Sequence, residues 1–129
     1  MQIRWFFDFL GSIGSINEDV NLKEIVVVTS ASTNSNNGKQ YHLDGIISGA
    51  ASYELAKKVD EVVGRIKLSS KVKFGQILSS DTFYTDEKEK DLKFGGKMGV
   101  IEVEMEGYPL YLNASRIGKN ALCMAIVSH

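Results

Sequence analysis

The sequence has little cysteine, little proline and no long apolar run. Cys123 is the single cysteine among 129 residues, so no disulfide can form within the chain. Its apolar neighbours predict a buried thiol in a reducing compartment. The apolar stretch at 1–10 contains Asp8, is too short to span a membrane and is followed by no convincing signal-peptide cleavage site. We therefore expect a cytoplasmic protein with no membrane partner.

An excess of charge of one sign is also lacking. The formal net charge is −1 at pH 7 and the pI is about 6.1. Without a basic surface, nucleic acid is not an expected partner. His42 and Asp44 lie in a polar loop without the spacing of metal ligands, so no metal site is predicted. At 43% hydrophobic residues, the length suits a single domain over 1–129 with a modest core.

Strand patterns alternate with helix patterns along the chain. Ile25–Val28 is a continuous β-branched run, which is typical of a strand buried on both faces. Ser52 is suited to cap a helix that reaches about Ile66, with apolar residues three or four apart on one face. The pattern predicts an α/β fold, a three-layer α/β/α sandwich around a mixed, largely parallel central sheet.

Three carboxylates interrupt the apolar run that begins at Val100. Glu102, Glu104 and Glu106 alternate with single apolar residues, which predicts that they share one side of an extended strand. Like charges on one face are costly unless they meet water, a cation or hydroxyl groups, so at least one is interpreted as a site residue. Because Pro109 is tolerated only in a first turn, a helix is expected to follow directly.

Two interpretations of these carboxylates stay open on the residues alone. A carboxylate at the carboxyl end of a strand in an α/β sheet lies where such folds bind ligands. Alternatively, Glu104 and Glu106 only cap the helix that follows.

Near the start of the chain, Gly11–Ser15 is predicted to form a small flexible turn. This turn is either an ordinary loop or one whose backbone N–H groups and Ser12 hydroxyl approach an anion.

Several motifs together resemble one family. Val103-Glu104-Met105-Glu106, followed by a small residue, is similar to the Val-Glu-Met-Glu-Ala motif of the hexameric purine nucleoside phosphorylases, within the wider nucleoside phosphorylase and nucleosidase family. Further segments resemble the family in the same order, at 22–28, 31–36, 51–55, 79–84 and 126–129. The resemblance runs from about Gly11 to Ser128. It leaves 1–10 as an unmatched leader and the family's amino-terminal portion without a counterpart, which implies that the central sheet is incomplete.

The resemblance implies phosphate-dependent cleavage of the N-glycosidic bond of a purine nucleoside, giving free base and ribose 1-phosphate. Such an enzyme is a glycosyltransferase of purine salvage that needs no cofactor, because phosphate is the co-substrate. Glu106 is implied to accept hydrogen bonds from the ribose 2′ and 3′ hydroxyls, and Met105 to pack against the sugar. The remaining implied nucleoside-binding residues are Glu104, Val103, Leu78 and Ser128, and the implied phosphate-binding residues are Gly11 and Ser12.

Three positions depart from the family pattern. Phe9 stands where an arginine normally pairs with phosphate, and His129 follows Ser128 where the family has its acidic aspartate. His129 is a weak candidate for the catalytic acid. Leu78 also replaces the aromatic residue often found in the base pocket, which weakens stacking on the base.

Other functions remain open at this point. Uridine phosphorylase and a nucleosidase that uses water belong to the same family. The departures also suit an inactive fragment or a non-catalytic nucleoside-binding module. The family's hexamers imply a homo-oligomer.

Overall fold

The structure is a computed structural model that describes residues 23–82 and 96–127 in full and the backbone of 6–15. The described strands are β1 (Phe6–Ser15), β2 (Ile25–Thr33), β3 (Gly49–Ala50), β4 (Val72–Ser79), β5 (Val100–Glu104) and β6 (Asn120–Val127). The described helices are α1 (Tyr53–Arg65) and α2 (Gly107–Arg116), with a short 3-10 helix at Asn37–Tyr41. None of the helices among these residues is long and apolar enough to cross a membrane.

The six strands form one mixed sheet in the order β3-β2-β4-β5-β1-β6. The pairs β2–β4, β4–β5 and β1–β6 are parallel, and these ladders hold most of the paired residues. The predicted α/β fold with a mixed, largely parallel sheet is therefore confirmed. β6 pairs again with β2, which closes the sheet on itself and gives β1, β2, β4, β5 and β6 a described partner on both sides.

The core lies where β2 and β6 pack against α2. Val26, Val27 and Val28 of β2 are completely buried, as the β-branched run predicted. Leu112 and Ala114 of α2 join the same core. Cys123 of β6 is also buried, and burial raises the pKa of its thiol to about 12, so the predicted buried thiol is confirmed.

Helix α1 begins as the sequence predicts, since the Ser52 hydroxyl accepts a hydrogen bond of 3.3 Å from the Leu55 N–H. No residue of the helix is buried, however. Val62 is 48% exposed, and the adjoining Ile66 is 50% exposed. Leu55, Val59 and Val63 are half-buried, and the main described contact of the helix is with β6, so the described part of the chain covers only part of the apolar face of α1.

The predicted turn at Gly11–Ser15 is wrong, because these residues continue β1. Gly11 and Ser12 pair with Ala125 and Ile126 of β6, and Gly14 pairs with Val103 of β5. Pairing on both sides supplies hydrogen bonds that override the local preference of glycine for turns. Phe6–Leu10, within the expected leader, form the first half of the same strand.

Tyr111 joins β2 and β6 at the point where their ladder ends. Its hydroxyl donates to the Val28 carbonyl and accepts a hydrogen bond of 2.9 Å from the Cys123 N–H. Val28 and Cys123 are the last paired residues of that ladder, beyond which β2 pairs with β3 instead. The side chain is completely buried, so these two backbone groups have no water to replace the hydroxyl.

Removing this hydroxyl should destabilise the fold. In Tyr111→Phe, a buried carbonyl and a buried N–H both lose their partner, which costs about 2 to 4 kcal/mol at 1 to 2 kcal/mol for each group. The free energy of unfolding in urea measures the loss, and Tyr41→Phe, whose hydroxyl makes only an exposed 3.4 Å contact with Asn113, is the control. Equal stability of the two variants would contradict the bridging role.

Candidate active site

The candidate site is built where two parallel strands end side by side. In the register of β4 and β5, Leu78 lies beside Val103 and Ser79 lies beside Glu104. Both strands end at these residues, and α2 begins three residues after Glu104. Ligands in α/β folds bind outside the carboxyl ends of such strands. The structure therefore brings together the two residues predicted to line the base pocket, Leu78 and Val103, next to the carboxylate motif.

The Glu104 carboxylate is buried and fully engaged, with 3% of the residue exposed. One oxygen, Oε1, accepts from the Ser79 hydroxyl, and Oε2 accepts from the N–H groups of Glu106 and Gly107 at 2.5 and 2.7 Å. Burial raises the pKa of Glu104, while these three donors act in the opposite direction. Glu104 therefore caps the start of α2, as the second interpretation of the carboxylates predicted for this residue.

Glu106 occupies a different environment. It is the residue that precedes α2, it is exposed, and its side chain makes no capping hydrogen bond. An ionised carboxylate at the first turn is stabilised by the helix dipole. Met105 beside it is 41% exposed. This pair forms the open surface of the motif, where a ligand has access.

The prediction that the three carboxylates share one side of a strand is wrong for Glu106. β5 ends at Glu104, and the chain turns into the helix before Glu106. The reason is the capping by Glu104, whose carboxylate holds the N–H groups of Glu106 and Gly107 close to the strand end. Gly107 permits the close approach, because a Cβ there would lie 2.9 Å from Ile77 Cδ1 and 3.0 Å from Glu104 Oε1.

Glu102 is completely buried within β5, an environment that the sequence pattern did not predict. Neither carboxylate oxygen has a hydrogen-bond partner among the described residues. Burial raises the pKa of Glu102 to about 7, and the nearby Glu24 carboxylate adds to the increase while Lys73 opposes it. A neutral carboxyl avoids most of the cost of burying an unpaired charge.

Two further segments of the family resemblance meet beside this site. The Asn34 side chain donates to the Ser80 hydroxyl at 3.1 Å and accepts from the Asp81 N–H at 3.1 Å. The Thr33 hydroxyl donates to the Ser79 carbonyl at 2.8 Å. The loops after β2 and β4 are thus tied together. No periodic pattern revealed these contacts, although the serine and asparagine content of both loops is typical of side chains that bond nearby backbone.

Of the remaining predicted site residues, two have a described backbone and two lie outside the described residues. The backbone of Gly11 and Ser12 lies in β1, two to three residues along the strand from Gly14, which is the partner of Val103. Ser128 and His129 follow the end of β6 and lie outside the described residues, as does the side chain of Phe9. The structure therefore brings Leu78 and Val103 side by side and places Met105 and Glu106 in the turn that follows.

A cleft of about 340 Å³ lies next to this site, between β2, the residues before β3 and Tyr108 of α2. The Tyr108 hydroxyl closes one side by donating to the Ile47 carbonyl at 2.7 Å. None of the predicted site residues lines this cleft. We therefore assign the candidate site to the strand ends and not to the cleft.

The fold and this strand-end motif define a domain of the nucleoside phosphorylase type. A family model described as the Phosphorylase superfamily matches residues 7–129. The chain belongs to the phosphorylase superfamily.

Individual relatives agree with this assignment. The chain is 36% identical over 119 residues to a DeoD-type purine nucleoside phosphorylase of Clostridium novyi (strain NT), covering 92% of this chain and 50% of that protein. It is 37% identical to the DeoD-type purine nucleoside phosphorylase of Psychromonas ingrahamii, with 92% and 49% covered. The chain thus spans about half the length of the curated relatives it matches.

A solved structure matches the fold. The crystal structure of uridine phosphorylase from Vibrio fischeri ES114 superimposes with a TM-score of 0.83, covering 93% of this chain and 49% of the other. Sequence identity is 24%, so this likeness supports the fold alone.

Burial of the Glu102 carboxyl should make the stability of the folded protein depend on pH. Its pKa is 4.5 when exposed and about 7 in the folded protein, so the folded state binds the proton more tightly. The contribution of Glu102 to the free energy of unfolding should be greatest below pH 4.5 and should be lost as the pH rises to about 7. The loss is roughly 3 kcal/mol, because each unit of pKa difference corresponds to about 1.36 kcal/mol. Glu102→Gln should remove this part of the pH dependence.

The measurement is urea unfolding of both proteins at pH 5 and pH 8. The difference in unfolding free energy between the two pH values should be smaller in Glu102→Gln than in the unaltered chain. Glu61→Gln, on the exposed surface of α1, serves as the control and should leave the pH dependence unchanged. An equal pH dependence in Glu102→Gln and the unaltered chain would show that this carboxyl is already ionised when folded.

Proposed function

We propose that this chain forms the ribose-binding half of a purine nucleoside phosphorylase. The observation that carries the proposal is the exposed Glu106 carboxylate at the start of α2, beside the strand ends that hold Leu78 and Val103. An ionised carboxylate is an acceptor-only group with two oxygens, which suits two adjacent ribose hydroxyls. The 36–37% identity to proteins named purine nucleoside phosphorylase favours a purine as the base.

The other site residues follow from this orientation of the nucleoside. The half-exposed Met105 side chain supplies an apolar surface for the sugar. Val103 and Leu78, adjacent across β5 and β4, flank the base. Gly11 and Ser12 are the phosphate-binding residues, and Ser128 completes the nucleoside-binding set. His129 is the candidate acid.

The reaction breaks the bond between the ribose C1′ and the base nitrogen. Positive charge develops on the sugar as this bond lengthens, and a phosphate oxygen then bonds to C1′ from the opposite face. The departing base nitrogen takes a proton or a hydrogen bond from an acid. The contribution of Glu106 is to hold the ribose hydroxyls so that C1′ faces the phosphate, since orientation and preorganised charge supply most of such rate enhancements.

A second function from a different class is a nucleoside-binding module without turnover. Two residues favour it, Phe9 in place of a phosphate-binding arginine and His129 in place of an acidic aspartate. Uridine phosphorolysis and hydrolysis by water are further alternatives within the family. The uridine phosphorylase similarity supports the fold and does not favour uridine as the substrate.

The setting of the activity belongs to the proposal as well. We infer a cytoplasmic enzyme of purine salvage that works as a homo-oligomer with nucleoside and phosphate as its small-molecule partners. The single free cysteine and the formal net charge of −1 are the features of this sequence that support it.

Turnover by the purified 129-residue chain tests the function directly. Inosine, adenosine and uridine are each incubated with the chain, with and without phosphate, and free base is measured. We expect base release from the purine nucleosides only when phosphate is present. Release without phosphate would assign a nucleosidase, and release from uridine alone would assign a uridine phosphorylase. Binding of inosine without release of base would assign the binding module.

Substitution of Glu106 tests the ribose contact. Glu106→Ala should weaken inosine binding about 10-fold to 100-fold, because two hydrogen bonds to a charged acceptor are lost. Isothermal titration calorimetry measures the dissociation constant. Glu61→Ala, another exposed glutamate, is the matched control and should bind as the unaltered chain does. Unchanged affinity in Glu106→Ala would contradict the ribose assignment.

A further inference from the structure

Glu104 is one of the residues that the family resemblance implies to bind the nucleoside. A carboxylate offers about four lone-pair positions on its two oxygens. The Glu104 carboxylate already accepts hydrogen bonds from three donors, namely the Ser79 hydroxyl and the N–H groups of Glu106 and Gly107. With 3% of the residue exposed, little of the carboxylate is left for a ribose hydroxyl to reach.

Ser79 extends the same network by one residue. Its hydroxyl donates to Glu104 and accepts a hydrogen bond of 2.8 Å from the Tyr108 N–H. The N–H groups at the start of a helix have no partner within the helix. Here three consecutive ones, at 106, 107 and 108, are held by two buried side chains from the ends of β4 and β5.

The geometry points to Glu104 and Ser79 as a positioning pair, which fixes the backbone of Glu106 so that its exposed carboxylate faces the ribose hydroxyls. This inference rests on the proposed function. The bond from the Glu106 N–H anchors the same residue whose side chain would bind the sugar. A ligand group that is held in place before binding loses less conformational freedom when the ligand arrives. Glu104 therefore acts through Glu106 and makes no contact with the nucleoside.

The conservative substitution separates positioning from direct contact. Glutamine in place of Glu104 keeps a carbonyl oxygen for the two N–H groups but loses the charge, whereas alanine loses every acceptor. For a positioning role, Glu104→Gln should bind inosine within about threefold of the unaltered chain, and Glu104→Ala should bind about tenfold more weakly. A loss of affinity in Glu104→Gln as large as in Glu104→Ala would overturn the proposal.

A double-mutant cycle on inosine affinity adds a second readout. If Glu104 acts only through Glu106, then adding Glu104→Ala to Glu106→Ala should change the dissociation constant by less than about twofold, because the two residues form one unit. If the two losses instead multiply, Glu104 contacts the nucleoside independently and the proposal is wrong.

Amide hydrogen exchange tests the positioning without any nucleoside. Exchange at Glu106 and Gly107 should be about tenfold faster in Glu104→Ala, and exchange at Tyr108 should be faster in Ser79→Ala. Ser80→Ala is the matched control, since the Ser80 hydroxyl bonds to Asn34 and Thr82 and not to Glu104. Unchanged exchange at Glu106 and Gly107 in Glu104→Ala would overturn the proposal. An unaltered chain that fails to bind inosine would overturn the proposed function instead, and the exchange rates would still decide whether Glu104 holds the turn.

Discussion

The site depends on one buried carboxylate that accepts hydrogen bonds from the first turn of a helix. Glu104 lies at the end of β5, and its oxygens join the end of β4 to the start of α2 through Ser79, Glu106 and Gly107. Burying a carboxyl group is costly unless its oxygens are satisfied, and the start of a helix supplies N–H groups that need acceptors. The hydrogen bonds between the Glu104 carboxylate and these N–H groups meet both needs, and they fix the direction in which the chain leaves the sheet.

The same logic explains why three glutamates in one short motif have three different environments. Glu104 has three donors, Glu102 has none among the described residues, and Glu106 lies at the surface. Only Glu106 combines access for a ligand with the stabilising field of a helix start. All three residues are glutamates, so burial and hydrogen bonding decide which of them is available to a substrate.

The sequence predicted the elements whose patterns are local. The β-branched run of β2, the Ser52 cap of α1 and the helix after Glu106 all depend on neighbouring residues. It did not predict the closure of the sheet or the strand at Gly11–Ser15, because both depend on pairing between residues far apart in the chain. The incomplete burial of α1 has the same origin, since amphipathic spacing indicates which face of a helix is apolar but not how much of that face the rest of the chain covers.

The candidate site also divides into a local part and a distant part. The residues proposed to contact the ribose and the base come from the adjacent ends of β4 and β5 and the turn that follows, so the motif and the register together bring them close. The residues proposed for phosphate binding and for protonation of the base lie in other segments, where the chain has Phe9 and His129 in place of the expected arginine and aspartate. Binding energy for the sugar can therefore persist where the groups that lower the reaction barrier have changed. Under the proposed function, nucleoside affinity therefore depends on fewer residues than turnover, and the two are separate quantities to measure.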